Sequence, residues 1–516
     1  MEHGRYHTFR KSIQWIKGHT VDGNGICLTD RRMIVYPEVT GYYIPSLLEW
    51  GERDLAVSFA SHLCIIQKED GSWYDSADQA PYTFDTAQIL KGLIAIHDLY
   101  PSAEDHIRKG CDWMLVQMQP DGRLTTPDKS AWGDDETYCS ELIHLYCLTP
   151  LVEAGRIYGR QDYIDAAYKA LDYYKAHYDA QIKSFSLLSH FYAYVMEGLC
   201  DMGETDLVRT AMDKLEQRYL TRHDDIPGLN SVRWVCSTGM FQLALVWYKL
   251  GERKRGDRLF DRALSYQNAS GGWYGSYHAG NHKKLFTGIK DKPTYFPDQE
   301  ISWVVKYFLD ALAWKTKLGF EDAAPSFLDA IDKTDGRYLL VRDRITAVMS
   351  EKEPISALVV CDVGCGKGRY LKNLVEDIPE NDYYAVDLSE TVMREIDCVK
   401  EKRSGRLTNI PYPDDMFDVT YTCEAIEHAI HLEGALRELL RVTRPGGVVV
   451  VVDKPEEKLG ALQIDPWEQW VNDADMRDFA DSHGAALEII PSISYENGRD
   501  DGLFRAWILR KQAVSG

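Results

Sequence analysis

The chain has 516 residues, 45% of them hydrophobic, which is too long for one ordinary core and predicts two or three domains. Its formal net charge of −21 disfavours nucleic-acid partners, because neutralising a phosphate backbone needs clustered Lys and Arg. No run approaches the roughly 18 apolar residues of a membrane span, and the first twenty residues lack the apolar core of a signal peptide. We therefore expect a soluble cytoplasmic protein whose eleven cysteines are reduced and hold no metal.

The first part of the chain shows helical periodicity from about Tyr6 to about Leu318. Helices that are apolar around most of their surface alternate with amphipathic ones, which predicts an inner and an outer layer. The inner helices are predicted to begin near Tyr36, Thr83, Glu136, Ser186, Val235 and Asp298. Their spacing of roughly fifty residues predicts an all-α domain over 1–318, an α/α toroid of six hairpins closed by the N-terminal helix.

Two ends of predicted outer helices share one spacing, Gln67-xxx-Gly71-x-Trp73 and Gln267-xxx-Gly271-x-Trp273, and a partial copy stands at Gln119 to Gly122. These segments resemble the glutamine–tryptophan repeats of terpene cyclase and prenyltransferase toroids, and also the loops of carbohydrate-active toroids. We interpret them as structural staples between hairpins. The terpene-cyclase resemblance ends there, because its acid run Asp-x-Asp-Asp has only Gly133-Asp134-Asp135-Glu136 as a counterpart.

Acids and aromatic residues recur at the beginnings of the predicted inner helices, where a toroid has its central funnel. A single carboxylate at a helix N-terminus is explained by capping, but the interleaved Tyr and Trp are not. Rings that stack on a sugar and carboxylates that hold hydroxyls or move protons predict a carbohydrate-like ligand. The candidate catalytic residues here are Glu38, Asp85, Asp135, Glu136, His190, Asp298 and Glu300. The candidate substrate-binding residues are Tyr42, Tyr192, Arg233, Trp234, Tyr295 and Trp303.

Residues 319–336 read as a linker, and strands then alternate with helices over 337–516, which predicts a doubly wound parallel α/β sheet. A strand over 357–362 leads into Gly364-Cys365-Gly366-Lys367-Gly368 and then a helix. A second strand ends in Asp387, about 20 residues after the glycines.

These motifs, with "LTNIPYPDDMFDVTYTCEAIEHA" and "RPGGVVVVVDK" following in order, resemble the class I (Rossmann-like) S-adenosylmethionine-dependent methyltransferases. The resemblance covers about 180 residues and implies S-adenosylmethionine as cofactor. It places Asp387 on the ribose hydroxyls, Asp362 at the glycine loop, and Asn409 with Ile410 beside the adenine. The implied cofactor-binding residues are Asp362, Gly364, Gly366, Gly368, Asp387, Leu388, Asn409 and Ile410. Arg406 departs from the pattern, because many relatives have Asp at that position.

Three polar residues after the fourth predicted strand, Glu424, Glu427 and His428, are the candidate catalytic groups for methyl transfer. An imidazole titrates near neutrality and suits a general base, although His428 is equally explained as a structural residue. We expect O-methylation of a small molecule or glycan, joined to a sugar-acting toroid of epimerase, isomerase, lyase or hydrolase type. Two alternatives stay open: a terpenoid-type cyclase with a tailoring methyltransferase, and a non-catalytic toroid that presents a glycan acceptor.

Overall fold

The structure is a computed structural model that describes residues 4–127, 140–279, 292–352, 354, 356–464 and 467–512. Asp135 and Glu136, two predicted site residues, lie outside these ranges. The chain divides into two compact units. We call 8–48 with 52–318 the helical unit, and 319–516 with 1–7 and 49–51 the sheet unit. Each is described by itself.

The helices up to residue 323 alternate as predicted between nearly complete burial and burial of one stripe. Those buried almost throughout include α2, α4, α8 and α10, whereas α3, α5, α9 and α11 keep a polar face. The bounds are α1 (Gly4–Gly18), α2 (Pro37–Glu49), α3 (Arg53–Ile66), α4 (Thr83–Ala95), α5 (Glu104–Val116), α6 (Thr149–Tyr158), α7 (Gln161–Ile182), α8 (Ser189–Asp201), α9 (Thr205–Tyr219), α10 (Ser237–Lys249), α11 (Arg253–Leu264) and α12 (Ser302–Ala323).

The helical unit is not purely helical, which corrects the all-α expectation. Strands β1 (Thr20–Val21), β2 (Gly25–Thr29) and β3 (Arg32–Val35) form an antiparallel sheet, and β4 (Val235–Cys236) pairs with β5 (Ser276–Tyr277). The turn between β1 and β2 uses Asp22 and Gly23, both at positive φ. Asp and Gly are the residues that such turns favour, so the signal was present in "VDGNGICLT".

The third predicted inner helix is also different in its described part. Residues Glu141–Cys147 form a 3-10 helix, and α6 begins only at Thr149. Pro150 stands in the first turn of α6, where its missing N–H costs no helical hydrogen bond. A proline at this point starts a new helix rather than continuing the preceding one.

The two glutamine–tryptophan segments have one geometry, as expected for structural staples. The amide of Gln67 donates to the carbonyls of Gly71 (3.0 Å) and His106 (2.9 Å), and the Trp73 indole donates to Leu63 O (2.7 Å). In the second copy Gln267 donates to Gly271 O (3.0 Å) and Thr8 O (3.1 Å), and Trp273 donates to Ala263 O (3.0 Å). Each glutamine therefore ties its own turn to a neighbouring helix.

The sheet unit contains one seven-stranded sheet in the order β11-β12-β10-β9-β6-β7-β8. Its strands are β6 (Val359–Val363), β7 (Asp382–Asp387), β8 (Glu401–Ser404), β9 (Phe417–Cys423), β10 (Thr443–Asp453), β11 (Ala485–Ile490) and β12 (Arg505–Lys511). Its helices are α13 (Gly336–Ser350), α14 (Arg369–Asp377), α15 (Glu390–Met393), α16 (Leu432–Val442) and α17 (Asp473–Ser482). The predicted Rossmann-like fold is confirmed, with one correction: β12 runs antiparallel to β10 and β11, so the sheet is mixed.

The sheet is buried on both faces, which explains the unbroken valine run of β10. Val448 and Val450 pack in one hydrophobic core, whereas Val449 and Val451 pack in the other. Because successive side chains of a strand point to opposite faces, a strand covered on both sides needs apolar residues throughout.

The segment predicted as a linker, 319–336, contains secondary structure. Helix α12 continues to Ala323, a 3-10 turn covers Ala324–Ser326, and Phe327 packs against a core of the sheet unit. Within the described residues, no helix combines the length and the apolarity that crossing a membrane requires.

Candidate functional site

A cavity of about 360 Å³ lies in the sheet unit where the strand order reverses between β6 and β9. Open α/β sheets bind ligands at such a switch point, outside the carboxyl ends of the strands. The wall is built from the segments that follow β6, β7, β8 and β9, together with part of 320–328. Most of the motifs identified in the sequence therefore lie in the wall of this cavity.

The glycine loop after β6 comes close to other backbone at Gly364. This residue has φ +83°, and a Cβ there would lie 2.4 Å from the Cβ of Ala425. The N–H groups of Gly364 and Cys365 donate to Val386 O at 2.8 and 3.0 Å. Only glycine fits this conformation and this space, so the loop is fixed against β7.

Two buried carboxylates stand at the ends of adjacent strands, Asp362 on β6 and Asp387 on β7. The two oxygens of Asp387 accept hydrogen bonds from the backbone N–H groups of Gly366 and Ser389, both at 2.9 Å. Oδ2 of Asp362 has no hydrogen-bond partner among the described residues. Burial raises the pKa of Asp362 to about 8, and the neighbouring Asp387 adds to the effect. A cationic group placed beside Asp362 would satisfy this carboxylate.

The wall after β8 differs from the sequence expectation. Residues 405–408 line the cavity, and so does Leu388, whereas Asn409 and Ile410 are not among its described lining residues. Ile410 donates its N–H to Glu438 Oε2 (2.8 Å), and its side chain packs in a hydrophobic core. Gly368 is the N-terminal cap of α14 at φ +74° and lies behind the wall rather than in it.

Glu424 lines the cavity, but its carboxylate is occupied by two arginines. Oε1 accepts from Arg337 Nη1 at 2.8 Å and from Arg369 Nη2 at 2.5 Å. Glu424 also has φ +54°, a conformation that non-glycine residues rarely adopt and that often marks functional sites. Its visible role is to anchor the guanidinium of Arg369 at the cavity wall.

Glu427 and His428 stand together on the same wall. Both oxygens of Glu427 accept from Lys454 Nζ, at 2.7 and 2.8 Å, and Oε1 lies 3.6 Å from Nε2 of His428. Burial raises the pKa of Glu427, and the neighbouring Asp453 raises it further. Both residues line the cavity, where His428 is partly exposed and Glu427 is buried.

Sequence reasoning missed an apolar wall formed by Phe320, Phe327 and Leu328. The Phe320 ring lies edge-on to the His428 ring, with centroids 5.2 Å apart. Lys367 donates to Pro325 O at 3.2 Å, and Asn373 donates to Ile331 O at 2.9 Å, so the segment is tied to the glycine loop and α14. The sequence does contain one indication of this wall, namely two phenylalanines within the segment predicted as a linker.

Comparison with known proteins gives the domain a family. Residues 361–451 match the family model described as "Methyltransferase domain". This part of the sheet unit is therefore similar to methyltransferase domains. The match to this family model covers the glycine loop, Asp387 and the segment with His428, so it includes most of the cavity lining.

The relatives match only a part of the chain. A malonyl-[acyl-carrier protein] O-methyltransferase of Halorhodospira halophila is 30% identical over 166 residues, covering 31% of this chain and 56% of that protein. A sterol 24-C-methyltransferase of Schizosaccharomyces pombe is 34% identical over 102 residues, covering 18% of this chain and 27% of that protein. The putative methyltransferase in complex with Trm112 of Haloferax volcanii gives a TM-score of 0.29 at 17% identity, covering 38% of this chain and 97% of that one. The chain thus spans little more than half of the first relative's length and about a quarter of the second's.

The cofactor of the methyltransferase domain is S-adenosylmethionine, and the cavity residues fit it. Asp362 offers an unpartnered carboxylate oxygen, suited to the positive charge that the cofactor carries. Asp387 offers two acceptor oxygens at the end of the neighbouring strand, suited to a pair of hydroxyls. The glycine loop lets backbone approach between them.

The helical unit holds the remaining candidates, and several of them lie close together. Glu38, Asp85 and His190 are buried in the first turns of α2, α4 and α8. The His190 ring is 6.5 Å from that of Tyr295, and the Tyr295 ring is 6.4 Å from that of Trp303. Tyr42 is buried nearby, with Lys306 Nζ 4.8 Å from its ring centroid.

Other candidates are engaged elsewhere. Glu300 accepts from Trp15 Nε1 (2.6 Å) and Asn268 Nδ2 (2.7 Å), so it fastens the second staple turn. Asp298 is exposed and paired with Arg31 at 3.0 Å. Three further side chains also point to structural or surface roles: Tyr192 donates to Ile182 O (2.9 Å), Trp234 packs in a small apolar cluster, and Arg233 is exposed.

Proposed function

We propose that the chain is an S-adenosylmethionine-dependent O-methyltransferase acting on a small molecule or glycan. The observation that carries the proposal is a single cavity that joins Asp362, Asp387 and the glycine loop on one side to His428 on the other. When bound, S-adenosylmethionine supplies an electrophilic methyl group, so the protein has to position an acceptor and remove its proton.

His428 is the proposed proton acceptor. Its imidazole faces the cavity, and Glu427 stands behind it at 3.6 Å, held by the ammonium of Lys454. At this distance the carboxylate makes no hydrogen bond to the imidazole and acts on the protonated ring through its charge. Phe320 and Phe327 exclude water from this side of the cavity, which strengthens each electrostatic contact inside it.

The relatives' printed activities support methyl transfer but divide over the acceptor atom. One is named as an O-methyltransferase and one as a C-methyltransferase. The presence of an imidazole backed by a carboxylate favours oxygen here, because a hydroxyl acceptor needs a base.

The test uses S-adenosylmethionine carrying a CD3 group, incubated with the protein and a metabolite and glycan extract, followed by mass spectrometry. We expect labelled products with the CD3 group on oxygen, and loss of at least 100-fold in labelling rate for His428→Ala with unchanged affinity for the cofactor. His483→Ala is the matched control, because His483 is exposed directly after α17 and lies outside the cavity lining. A label on carbon, or full labelling by His428→Ala, would contradict the proposal.

We also infer that the helical unit is an α/α toroid. Contacts between successive buried helices support this inference around a complete circuit. Gly41 of α2 backs onto Ile89 of α4, and α4 then contacts Glu141–Cys147, which contacts α8, which contacts α10. Phe241 of α10 packs on Phe308 of α12 (5.6 Å), and Tyr43 of α2 donates to Ser302 O of α12 (2.8 Å).

A sugar-like ligand for this unit is the second candidate function. It is favoured by the burial of Glu38, Asp85 and His190 in the first turns of three helices, with the His190 ring near that of Tyr295, rather than by any relative. Whether the unit transforms or only presents its ligand is decided by assaying glycan products with and without the cofactor. Products that form without S-adenosylmethionine would indicate a separate reaction.

A further inference from the structure

Two buried carboxylates of the helical unit, Glu38 and Asp85, lie in the first turns of two helices that pack closely. A Cβ on Gly41 would lie 2.4 Å from Ile89 Cα, and one on Gly92 would lie 2.1 Å from Gly41 O. The backbones of α2 and α4 therefore touch. This contact brings the first turns of both helices together, so that Glu38 and Asp85 interact electrostatically.

We propose that Glu38 and Asp85 form the proton-carrying floor of a binding site for a pyranose sugar. The proposal rests on the sugar-binding role inferred above and assigns it to these two residues. Hydroxyl groups of a sugar both donate and accept hydrogen bonds. A carboxyl pair that holds one proton can do the same, which a fully ionised pair cannot.

The surroundings of the pair favour one retained proton. Burial raises the pKa of Glu38 to about 7, and Tyr36, which hydrogen-bonds it, works in the opposite direction together with Lys306 and Lys91. Burial also raises the pKa of Asp85, and Glu38 and Asp75 raise it further. Two like charges in one buried place cannot both ionise cheaply.

The groups around this floor match a sugar in two respects. Tyr36, Phe191 and Tyr295 are partly exposed rings, and aromatic faces stack on pyranose rings. Trp303 is buried against Tyr36, with ring centroids 6.1 Å apart, and its indole N–H has no partner among the described residues. A buried, unpartnered donor beside an acid pair indicates a ligand that supplies an acceptor.

His190 adds a neutral group. Its Nδ1 lies 2.9 Å from Gln242 Oε1, and burial lowers the pKa of the imidazole to about 3. The ring therefore stays uncharged at neutral pH, so it suits a neutral hydroxyl better than an anion.

The experiment is saturation-transfer NMR on the full chain with D-glucose, D-galactose, D-mannose and D-glucuronate as probes, followed by calorimetric titration of the sugar that binds. We expect saturation of ring protons in at least one probe. Glu38→Gln and Asp85→Asn should each weaken its affinity at least tenfold. Asp54→Asn is the matched control, since Asp54 is an exposed acid in the first turn of α3.

The two proposals fail in different ways. If no probe receives saturation, the sugar-binding role is wrong and this inference falls with it. If a sugar binds the wild type and both amide variants equally, the sugar role stands and the carboxyl pair is not its site. Titration in phosphate and in Tris adds an independent readout, because proton uptake or release on binding should disappear in the double amide variant.

Discussion

At the scale of single residues, both units contain buried carboxylates whose pKa is raised. Asp362 and Glu427 line the cavity of the sheet unit, and Glu38 and Asp85 lie in the first turns of α2 and α4. In each case burial raises the pKa, because removing a charge from water is costly. Such groups store a destabilising free energy that a bound ligand can relieve.

Glu38→Gln tests this cost through the pH dependence of stability. The pKa of Glu38 is about 7 in the fold, against 4.5 ordinarily, so protonation favours the folded state. Its contribution is fully present below pH 4.5 and is lost as the pH rises through 7. We expect the free energy of unfolding of the variant, relative to wild type, to rise between pH 5 and pH 8 by on the order of 1–3 kcal/mol.

Denaturant unfolding at both pH values measures this change. Glu104→Gln is the control, because Glu104 is an exposed first-turn acid of α5 paired with Arg108 on the surface. A difference between Glu38→Gln and wild type that is the same at both pH values would mean that Glu38 is ionised throughout.

At the scale of elements, the crossing of α2 and α4 depends on glycine. Gly41→Ala would force Cβ to 2.4 Å from Ile89 Cα, and backbone cannot move aside as a side chain can. We expect the free energy of unfolding to fall by about 1–3 kcal/mol or more, the cost of overpacking a dense core. Thermal unfolding followed by circular dichroism measures it.

Gly18→Ala provides the comparison, since a Cβ on Gly18 meets nothing within 4 Å. Equal melting temperatures for the Gly41 and Gly18 variants would show that α2 can shift away from α4 without loss.

Local patterns predicted most elements and missed those fixed by tertiary contacts. The beginning of α4 at Thr83 follows from its hydrophobic periodicity, and the glycine loop follows from strand, glycines and helix in order. Strands β1–β3 are short enough for a helical period to hide them. The break before α6 depends on Pro150, which helical periodicity alone places inside a longer helix.

The candidate sites were predictable to a similar extent. Asp362 and Asp387 belong to a local motif, so the sequence alone singles them out, and both line the cavity. Phe320 lines the cavity because its segment packs against parts of the chain that are distant in sequence. In the same way, Glu300 bonds Asn268 in the second staple turn, which sequence periodicity does not predict. Hydrophobic periodicity along the sequence does not predict such contacts.

At the scale of the whole chain, we propose that the segment 319–336 belongs functionally with the sheet unit. Phe320 and Phe327 line its cavity, and Asp335 accepts from Arg337 at 2.8 Å, which in turn donates to Glu424. We expect fragment 319–516 to fold and bind S-adenosylmethionine, and fragment 337–516 to bind it at least tenfold more weakly. Calorimetric titration of both fragments compares them. Equal affinities of the two fragments for S-adenosylmethionine would mean that 319–336 is only a linker.

The most direct test of the central claim is calorimetric titration of S-adenosylmethionine into the full chain and into Asp387→Ala. We predict binding to the wild type and a loss of about 1.5–3 kcal/mol in the variant, the cost of removing charged hydrogen bonds. Asp382→Ala on the same strand is the control, because the Asp382 side chain pairs with Lys400 at the surface and lies outside the cavity lining. Unchanged affinity in Asp387→Ala, or no binding to the wild type, would contradict the assignment of this cavity to the methyl donor.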